Sequence, residues 1–199
     1  MDERLKGELL KMASRDETVR DALAASGELF HGYHPSMESV HLEHAERLAA
    51  IVAEYGWPGV GRVGVQGEEA AWLILQHAIS APPFQREGLR RLKEAAERGD
   101  APWYQVALLE DRIRFNEGRA QLYGTQLDWD EGGQLSPLPG IEDPARLEER
   151  RSAMGLGPLE AEVARKRKAA EQSGEKPPSD LGEHRRKMEA WARKVGWRS

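Results

Sequence analysis

Apolar residues recur every three or four positions along most of the chain, which is the period of an amphipathic α-helix. The clearest stripe lies in residues 37–55 and consists of Met37, His41, His44, Leu48, Ile51 and Tyr55. Pro35 fits the first turn of this helix, and Gly56 followed by Pro58 ends it. The pattern therefore predicts a helix that turns two histidines toward the core.

Other segments repeat this period and predict helices over about 3–25, 82–98, 102–117, 143–154, 158–171 and 181–195. Residues 68–79 are apolar on nearly every side, so we expect this helix to lie buried at the centre. From Thr125 to Leu138 the period changes around a turn rich in glycine and aspartate. The expected fold is mainly α, a bundle around the helix at about 68–79 with one small β-hairpin at about 125–138.

The length of 199 residues favours a single helical domain, residues 1–165, followed by an appendage. Residues 166–199 comprise a basic linker and a C-terminal amphipathic helix. The net charge of −5 divides unevenly, because residues 1–142 carry a net charge of −9 and residues 143–199 one of +4. The tail helix is therefore expected to dock on the body or on an acidic partner.

Composition excludes several classes of protein. The chain has no cysteine, so disulfides, thiolate zinc sites and a cysteine nucleophile are ruled out, and a cytoplasmic location is expected. We expect no membrane segment, because no apolar run approaches about 18 residues. We also expect no secretory signal, since the charged N-terminus lacks an apolar segment. The acidic body argues against nucleic acid as a partner.

The familiar catalytic motifs are missing: the chain has no G-x-S-x-G elbow, no phosphate-binding loop and no H-E-x-x-H. Residues 59–64 form a G-x-G-x-x-G string. This string follows a helix rather than a strand, so a flexible loop is expected there and not a dinucleotide site. The sequence therefore names no reaction.

Five of the six histidines lie in the first 77 residues: His31, His34, His41, His44 and His77. Three interpretations stay open. The histidines form a polar core in which every ring has a hydrogen-bond partner, or a metal-free active site with histidine as general acid or base, or a metal site. In the third case His41 and His44 would face one ion, with His34 or His77 completing the set.

A second concentration of polar residues lies in residues 119–126, where Gln121 and Gln126 flank Gly124. A turn there can aim side chains into a cleft, or the glutamines can satisfy backbone groups where a helix meets the hairpin. Asp111 and Arg112 share the inward face of the preceding predicted helix.

Several motifs occur in order: Gly32-Tyr33-His34-Pro35-Ser36-Met37, then Ala70-Ala71-Trp72-Leu73-Ile74 with Gln76-His77-Ala78, then residues 116–126 (NEGRAQLYGTQ). Over about residues 28–160 the chain resembles an uncharacterised bacterial family, largely actinobacterial, with no established activity. The resemblance implies a family pattern that includes His34, His41, Gln76, His77, Asp111, Arg112, Gln121, Tyr123 and Gln126. His44 and Ile79 depart from that pattern, so His44 is not expected to be an essential ligand.

These observations favour a small cytoplasmic enzyme that uses a histidine, glutamine and tyrosine cleft for hydrolysis or proton transfer on a polar small molecule or peptide. The expected catalytic residues are His34, His41 and His77. The expected substrate-binding residues are Gln76, Asp111, Arg112, Gln121, Tyr123 and Gln126. A divalent metal ion as cofactor is left open. The alternative is a non-catalytic interaction or immunity-type protein with a structural polar core and a partner-binding tail helix.

Overall fold

The computed structural model describes residues 1–28 and 33–199. These residues form eight α-helices, one short 3-10 helix and a single two-stranded hairpin, so the fold is mainly α as predicted. The chain divides into two compact units, residues 1–102 and 103–199, which are described separately. The predicted domain limit at 165/166 falls inside a helix of the second unit, and the predicted domain division stays a prediction.

The first unit consists of four helices, α1 (Glu3–Ser26), α2 (Pro35–Tyr55), α3 (Val60–His77) and α4 (Pro82–Glu97). Helix α1 packs against α2 and α3, and α4 packs against the same two helices. The fully buried apolar side chains of this unit include Leu9, Leu48, Ile51, Ile74, Leu75 and Leu92. Helix α3 therefore has neighbours on several sides, as its nearly uniform apolar character predicts.

Local signals set the ends of these helices. Asp2 caps α1 by accepting a hydrogen bond from the backbone N–H of Leu5 at 3.0 Å. Gly27 ends α1 with φ 79°, a left-handed conformation that glycine adopts without steric cost. Helix α2 begins at Pro35 and ends before Gly56, as the sequence predicts.

Helix α3 differs from its prediction at both ends. It begins at Val60 rather than about residue 68, and it ends at His77 rather than about residue 79. The early start includes the G-x-G-x-x-G string, for which a loop was expected. A helical turn over residues 60–63 joins the main helix through Gly64, whose φ of 70° and ψ of 171° break the regular backbone. Glycine makes this break possible, because other residues rarely adopt a positive φ.

The second unit begins with α5 (Trp103–Glu117), which leads into the antiparallel strands β1 (Leu127–Trp129) and β2 (Leu135–Pro137). A 3-10 turn (Pro144–Arg146) follows, and then α6 (Leu147–Ala153), α7 (Leu159–Ser173) and α8 (Leu181–Val195). The hairpin pairs Asp128 with Ser136 at its centre. Its position confirms the predicted hairpin.

The C-terminal segment packs on its own unit. Arg198 donates from Nε to the carbonyl of Asn116 at 2.8 Å and from Nη2 to the carbonyl of Phe115 at 3.0 Å. A guanidinium is well suited to the carbonyls at the end of α5, where the helix dipole is negative. Trp197 is buried beside it. Among the described residues, no helix is long and apolar enough to cross a membrane.

Candidate functional site

Three side chains from three helices of the first unit meet at one point: Asp16 from α1, His41 from α2 and His77 from α3. One ligand-type atom from each lies within 4.8 Å of the other two. We call this group the Asp16 cluster. Within residues 1–28 and 33–199 it is the one group of three or more such side chains close enough to share a metal ion.

His77 contacts both oxygens of the Asp16 carboxylate. Its Nδ1 lies 3.1 Å from Oδ1 and 3.1 Å from Oδ2. Asp16 is 1% exposed, whereas the His77 side chain is 26% exposed. No described residue forms a hydrogen bond with Nε2, the other ring nitrogen of His77. The cluster thus consists of a buried acceptor and a partly accessible imidazole.

His41 contacts the same carboxylate less directly. Its Nε2 lies 2.9 Å from Oδ2 of Asp16, but the contact lacks hydrogen-bond geometry, and no described residue forms a hydrogen bond with this nitrogen. The ring centroids of His41 and His77 are 5.1 Å apart. The His41 side chain is 8% exposed, so the nitrogen has no ready access to solvent.

The environment keeps Asp16 ionised. Burial raises the pKa of this carboxyl, but the contacts with His41 and His77 lower it by more, and the resulting pKa lies well below the usual range. An ionised carboxylate only accepts hydrogen bonds. In the absence of another cation, Nδ1 of His77 must therefore carry the hydrogen that it shares with Asp16.

A chain of polar contacts continues from His41 away from Asp16. The Tyr33 hydroxyl lies 2.6 Å from Nδ1 of His41 and is in polar contact with Ser80. Ser80 in turn donates to Oε1 of Glu38 at 2.6 Å. Burial raises the pKa of Tyr33 above its usual range, so its hydroxyl keeps its hydrogen. The chain links two carboxylates, those of Asp16 and Glu38.

Gln85 holds the end of α3 beside the cluster. It is 0% exposed, and its Nε2 donates to the carbonyls of Leu75 and Gln76 at 2.9 and 3.1 Å. These carbonyls belong to the last turn of the helix, and that of Leu75 also accepts from the backbone N–H of Ala78 at 3.3 Å. Gln85 thus fixes the turn that carries His77. Gln76, an expected substrate-binding residue, is half-buried on the same turn.

The other histidines of this region have different surroundings. His34 caps α2, since its Nδ1 accepts a hydrogen bond from the backbone N–H of Ser36 at 3.1 Å, and it is outside the Asp16 cluster. His44 is 3% exposed and also outside the cluster. The predicted metal set with His44 or His34 is therefore not the grouping found among the described residues. His31, and Gly32 of the first motif, lie outside those residues.

The turn after α5 is built from the second set of predicted site residues. Gln121 is 0% exposed and donates to the carbonyls of Gln126 and Leu138 at 2.7 and 2.6 Å, while its Oε1 accepts from the Gln126 N–H at 2.9 Å. These contacts are those expected if the glutamine satisfies backbone groups. Gln126 donates from its own side chain to the Thr125 hydroxyl at 3.2 Å.

Asp111 supports the same turn from α5. Its carboxylate accepts from the backbone N–H groups of Leu122, Tyr123 and Thr125 and from the Thr125 hydroxyl, at 2.7 to 3.2 Å. Burial nevertheless raises the pKa of Asp111, because the residue is fully enclosed. Tyr123 is buried, and its carbonyl accepts from the buried guanidinium of Arg151. Arg112 is half-buried on α5.

The predicted site residues thus form two groups, one in each compact unit. His41 and His77 meet in the first, whereas Asp111, Gln121, Tyr123 and Gln126 build one turn in the second. That all of them line a single cleft stays a prediction, as do their catalytic and binding roles.

Sequence reasoning missed Asp16, although the chain carries a signal for it. The buried residues Leu5, Leu9, Met12, Asp16 and Leu23 follow the helical period along α1. An aspartate on an apolar stripe must find a partner, because an unpaired buried charge is costly. Two unpaired histidines on the predicted inward faces of other helices are the natural partners.

Comparison with known proteins places the chain in a family but gives it no activity. Residues 3–172 match DUF6624, a family described as being of unknown function. No curated protein and no solved structure matches the chain.

Proposed function

The chain belongs to DUF6624, a family of unknown function, and we propose that it is a small enzyme whose catalytic centre is the Asp16 cluster. The reaction is hydrolysis or proton transfer on a polar small molecule or a peptide. The location is the cytoplasm.

One observation carries the proposal: a buried carboxylate holds Nδ1 of a partly exposed imidazole. In the metal-free protein the proton on Nδ1 of His77 leaves Nε2 with a lone pair. That nitrogen takes a proton from a water molecule or a substrate hydroxyl, and the Asp16 carboxylate stabilises the imidazolium that results. Such a general base typically contributes about 10²–10⁴-fold in rate.

The other predicted residues divide into two roles. Asp111 and Gln121 use their polar groups on the backbone of the turn, so we assign them to holding its shape. Gln76 stays our candidate for binding the substrate at the Asp16 cluster, and Arg112, Tyr123 and Gln126 are kept as binding candidates within the second unit. His34 is not assigned as a proton carrier, because its Nδ1 is used at the start of α2.

The test compares purified wild type with His77→Gln on a mixture of polar metabolites, esters and short peptides, with substrate loss followed by mass spectrometry. His184→Gln is the matched control, because His184 lies on α8 in the second unit. We expect turnover by wild type and by the control, and a loss of about 10²–10⁴-fold in His77→Gln. Equal turnover by all three proteins contradicts the assignment of His77.

A second candidate is a non-catalytic interaction or immunity-type protein. The observation that favours it is that buried polar side chains such as Gln85 and Gln121 form hydrogen bonds only with the backbone. In that case the Asp16 cluster is a structural network, and every effect of a cluster variant in cells follows the amount of folded protein. A variant that stays folded at normal abundance but loses its effect favours the enzyme.

A further inference from the structure

We propose that the Asp16 cluster binds one divalent transition-metal ion of the zinc type. The ligands are a carboxylate oxygen of Asp16, Nε2 of His41 and Nδ1 of His77. The inference deepens the proposed function, on which it rests for the part that the ion plays in the reaction. Ion binding itself is independent of any activity.

The distances from Asp16 to the two histidines are those of ligands around a shared ion. Zinc holds nitrogen and oxygen ligands at about 2.0–2.1 Å, which places neighbouring ligands about 2.9 Å apart at right angles and about 3.3 Å apart at tetrahedral angles. In the structure, Asp16 lies 2.9 Å from Nε2 of His41 and 3.1 Å from Nδ1 of His77. The two imidazole nitrogens lie within 4.8 Å of each other, so they need to approach by at most about 1.5 Å to reach tetrahedral separation.

The orientation of His41 separates a metal ligand from a hydrogen-bond donor. A ring N–H that donates across 2.9 Å normally points at its acceptor. Here Nε2 of His41 lies at that distance from Asp16 without hydrogen-bond geometry, and it has no hydrogen-bond partner among the described residues. The ring is more than nine-tenths buried, so water is not a ready substitute. A cation between the groups would satisfy this nitrogen.

The other ring nitrogen of His41 supports the same conclusion. Nδ1 lies 2.6 Å from the Tyr33 hydroxyl, and a neutral imidazole carries one hydrogen on one of its two nitrogens. With that hydrogen on Nδ1, Nε2 presents a lone pair toward a carboxylate that only accepts. This contact is satisfied by an extra proton on His41 or by a cation between His41 and Asp16.

With a metal ion on Nε2 no extra proton is needed. Nδ1 of His41 then donates to the Tyr33 hydroxyl. Metal-bound histidines commonly donate the other ring N–H to such a partner, which fixes the tautomer and the ring orientation. Tyr33 occupies that position, 2.6 Å from Nδ1. The misdirected Nε2 favours the metal over the proton.

The ligand set indicates the class of ion. Two imidazoles with one carboxylate suit Zn²⁺, Fe²⁺ and similar ions, whereas Mg²⁺ and Ca²⁺ prefer oxygen ligands throughout. Three protein ligands leave at least one position open, as in catalytic zinc sites. When bound, such an ion supplies an activated water. Nδ1 of His77 is then a ligand, so water activation passes from the imidazole to the ion, and the reaction class of the proposed function is unchanged.

The experiment measures binding directly. The full chain is freed of metal with a chelator and titrated with Zn²⁺ by calorimetry and with Co²⁺ by visible absorption. We expect one ion per chain, nitrogen-ligand bands for Co²⁺, and a melting temperature that rises by several degrees at 100-fold the Kd. Asp16→Asn and His77→Gln are expected to weaken binding at least 100-fold. His44→Gln is the control that keeps binding, because His44 lies outside the cluster.

A second measurement needs no variant and so does not depend on their folding. Nitrogen NMR of wild type is expected to show Nε2 of His41 and Nδ1 of His77 shifting when Zn²⁺ or Cd²⁺ is added. The inference is overturned if wild type binds no metal ion or if the nitrogen resonances of the two rings do not shift. It is also overturned if folded Asp16→Asn and His77→Gln bind the ion with wild-type affinity. If His41 is doubly protonated and its resonances do not change when Zn²⁺ is added, a proton and not a metal ion lies between His41 and Asp16.

The two proposals fail in different ways. An ion bound with the expected ligands and no turnover of any substrate overturns the proposed function and leaves the metal site. Full turnover by the metal-free protein, with no gain on adding Zn²⁺ or Co²⁺, overturns the catalytic part of the metal inference and leaves the proposed function.

Discussion

The carboxylate of Asp16 on α1 holds Nδ1 of His77 at the end of α3, 61 residues further along the chain, with each oxygen 3.1 Å from the nitrogen. The pair connects the first helix to the last turn of the central one. It therefore contributes to stability as well as to the proposed chemistry.

Replacing Asp16 by Asn removes one acceptor and turns an amide N–H toward the histidines. We expect Asp16→Asn to lower the free energy of unfolding by about 1–3 kcal/mol, the cost of a damaged buried hydrogen bond. Asp21→Asn is the matched control, since Asp21 lies on the same helix with a 77% exposed side chain. Urea unfolding measures both. Equal effects would show that the buried contact adds nothing to stability.

The burial of His44 predicts a dependence of stability on pH. Burial and the charge of Arg15 lower the pKa of His44 below its ordinary value of 6.5. As the pH falls below 6.5 the unfolded chain takes up a proton before the folded one does, so the folded state loses stability. In His44→Gln this part of the loss should disappear. Unfolding at several pH values tests the expectation, and identical pH profiles for the two proteins would contradict it.

Close packing between α3 and α4 makes Gly88 sensitive to a single methyl group. A Cβ at Gly88 would lie 2.3 Å from Cδ1 of Leu75. We expect Gly88→Ala to destabilise the protein by about 1–3 kcal/mol, as overpacking usually does. Gly7→Ala is the control inside α1, where a Cβ meets nothing within 4 Å. There alanine should stabilise by about 0.5–1 kcal/mol. Thermal unfolding of both variants measures these effects. An unchanged melting temperature in Gly88→Ala would refute the packing argument.

Asp111 is expected to control the order of the turn that follows α5. In Asp111→Asn the amide replaces one acceptor by a donor that faces backbone N–H groups, and at least one buried donor loses its partner. Hydrogen exchange at Leu122, Tyr123 and Thr125 should accelerate by about tenfold or more, which corresponds to about 1.4 kcal/mol. Glu131→Gln is the control, because that side chain is 87% exposed. Unchanged exchange rates in Asp111→Asn would assign the turn's order to other contacts.

The sequence determined the helices and the hairpin, because their signals are local. The period of apolar residues, Pro35 at the start of α2 and Gly56 after it act within a few residues of chain. The same local rule placed His41 and His44 on a buried face, and the structure confirms that both are buried. The sequence also places Asp16 on the apolar stripe of α1, at a position where an apolar residue is normal.

Only the tertiary structure decided which buried polar residues are partners. His41 and His44 lie on one stripe of one helix, yet only His41 reaches Asp16. The helical period fixes the face on which a side chain lies, but the residue opposite depends on which helices pack together and how they are aligned. Likewise, Gly64 shows its role only through the backbone angles that join two helical segments. Contacts between distant residues carry no local periodicity, and that is why the cluster could not be assembled from the sequence alone.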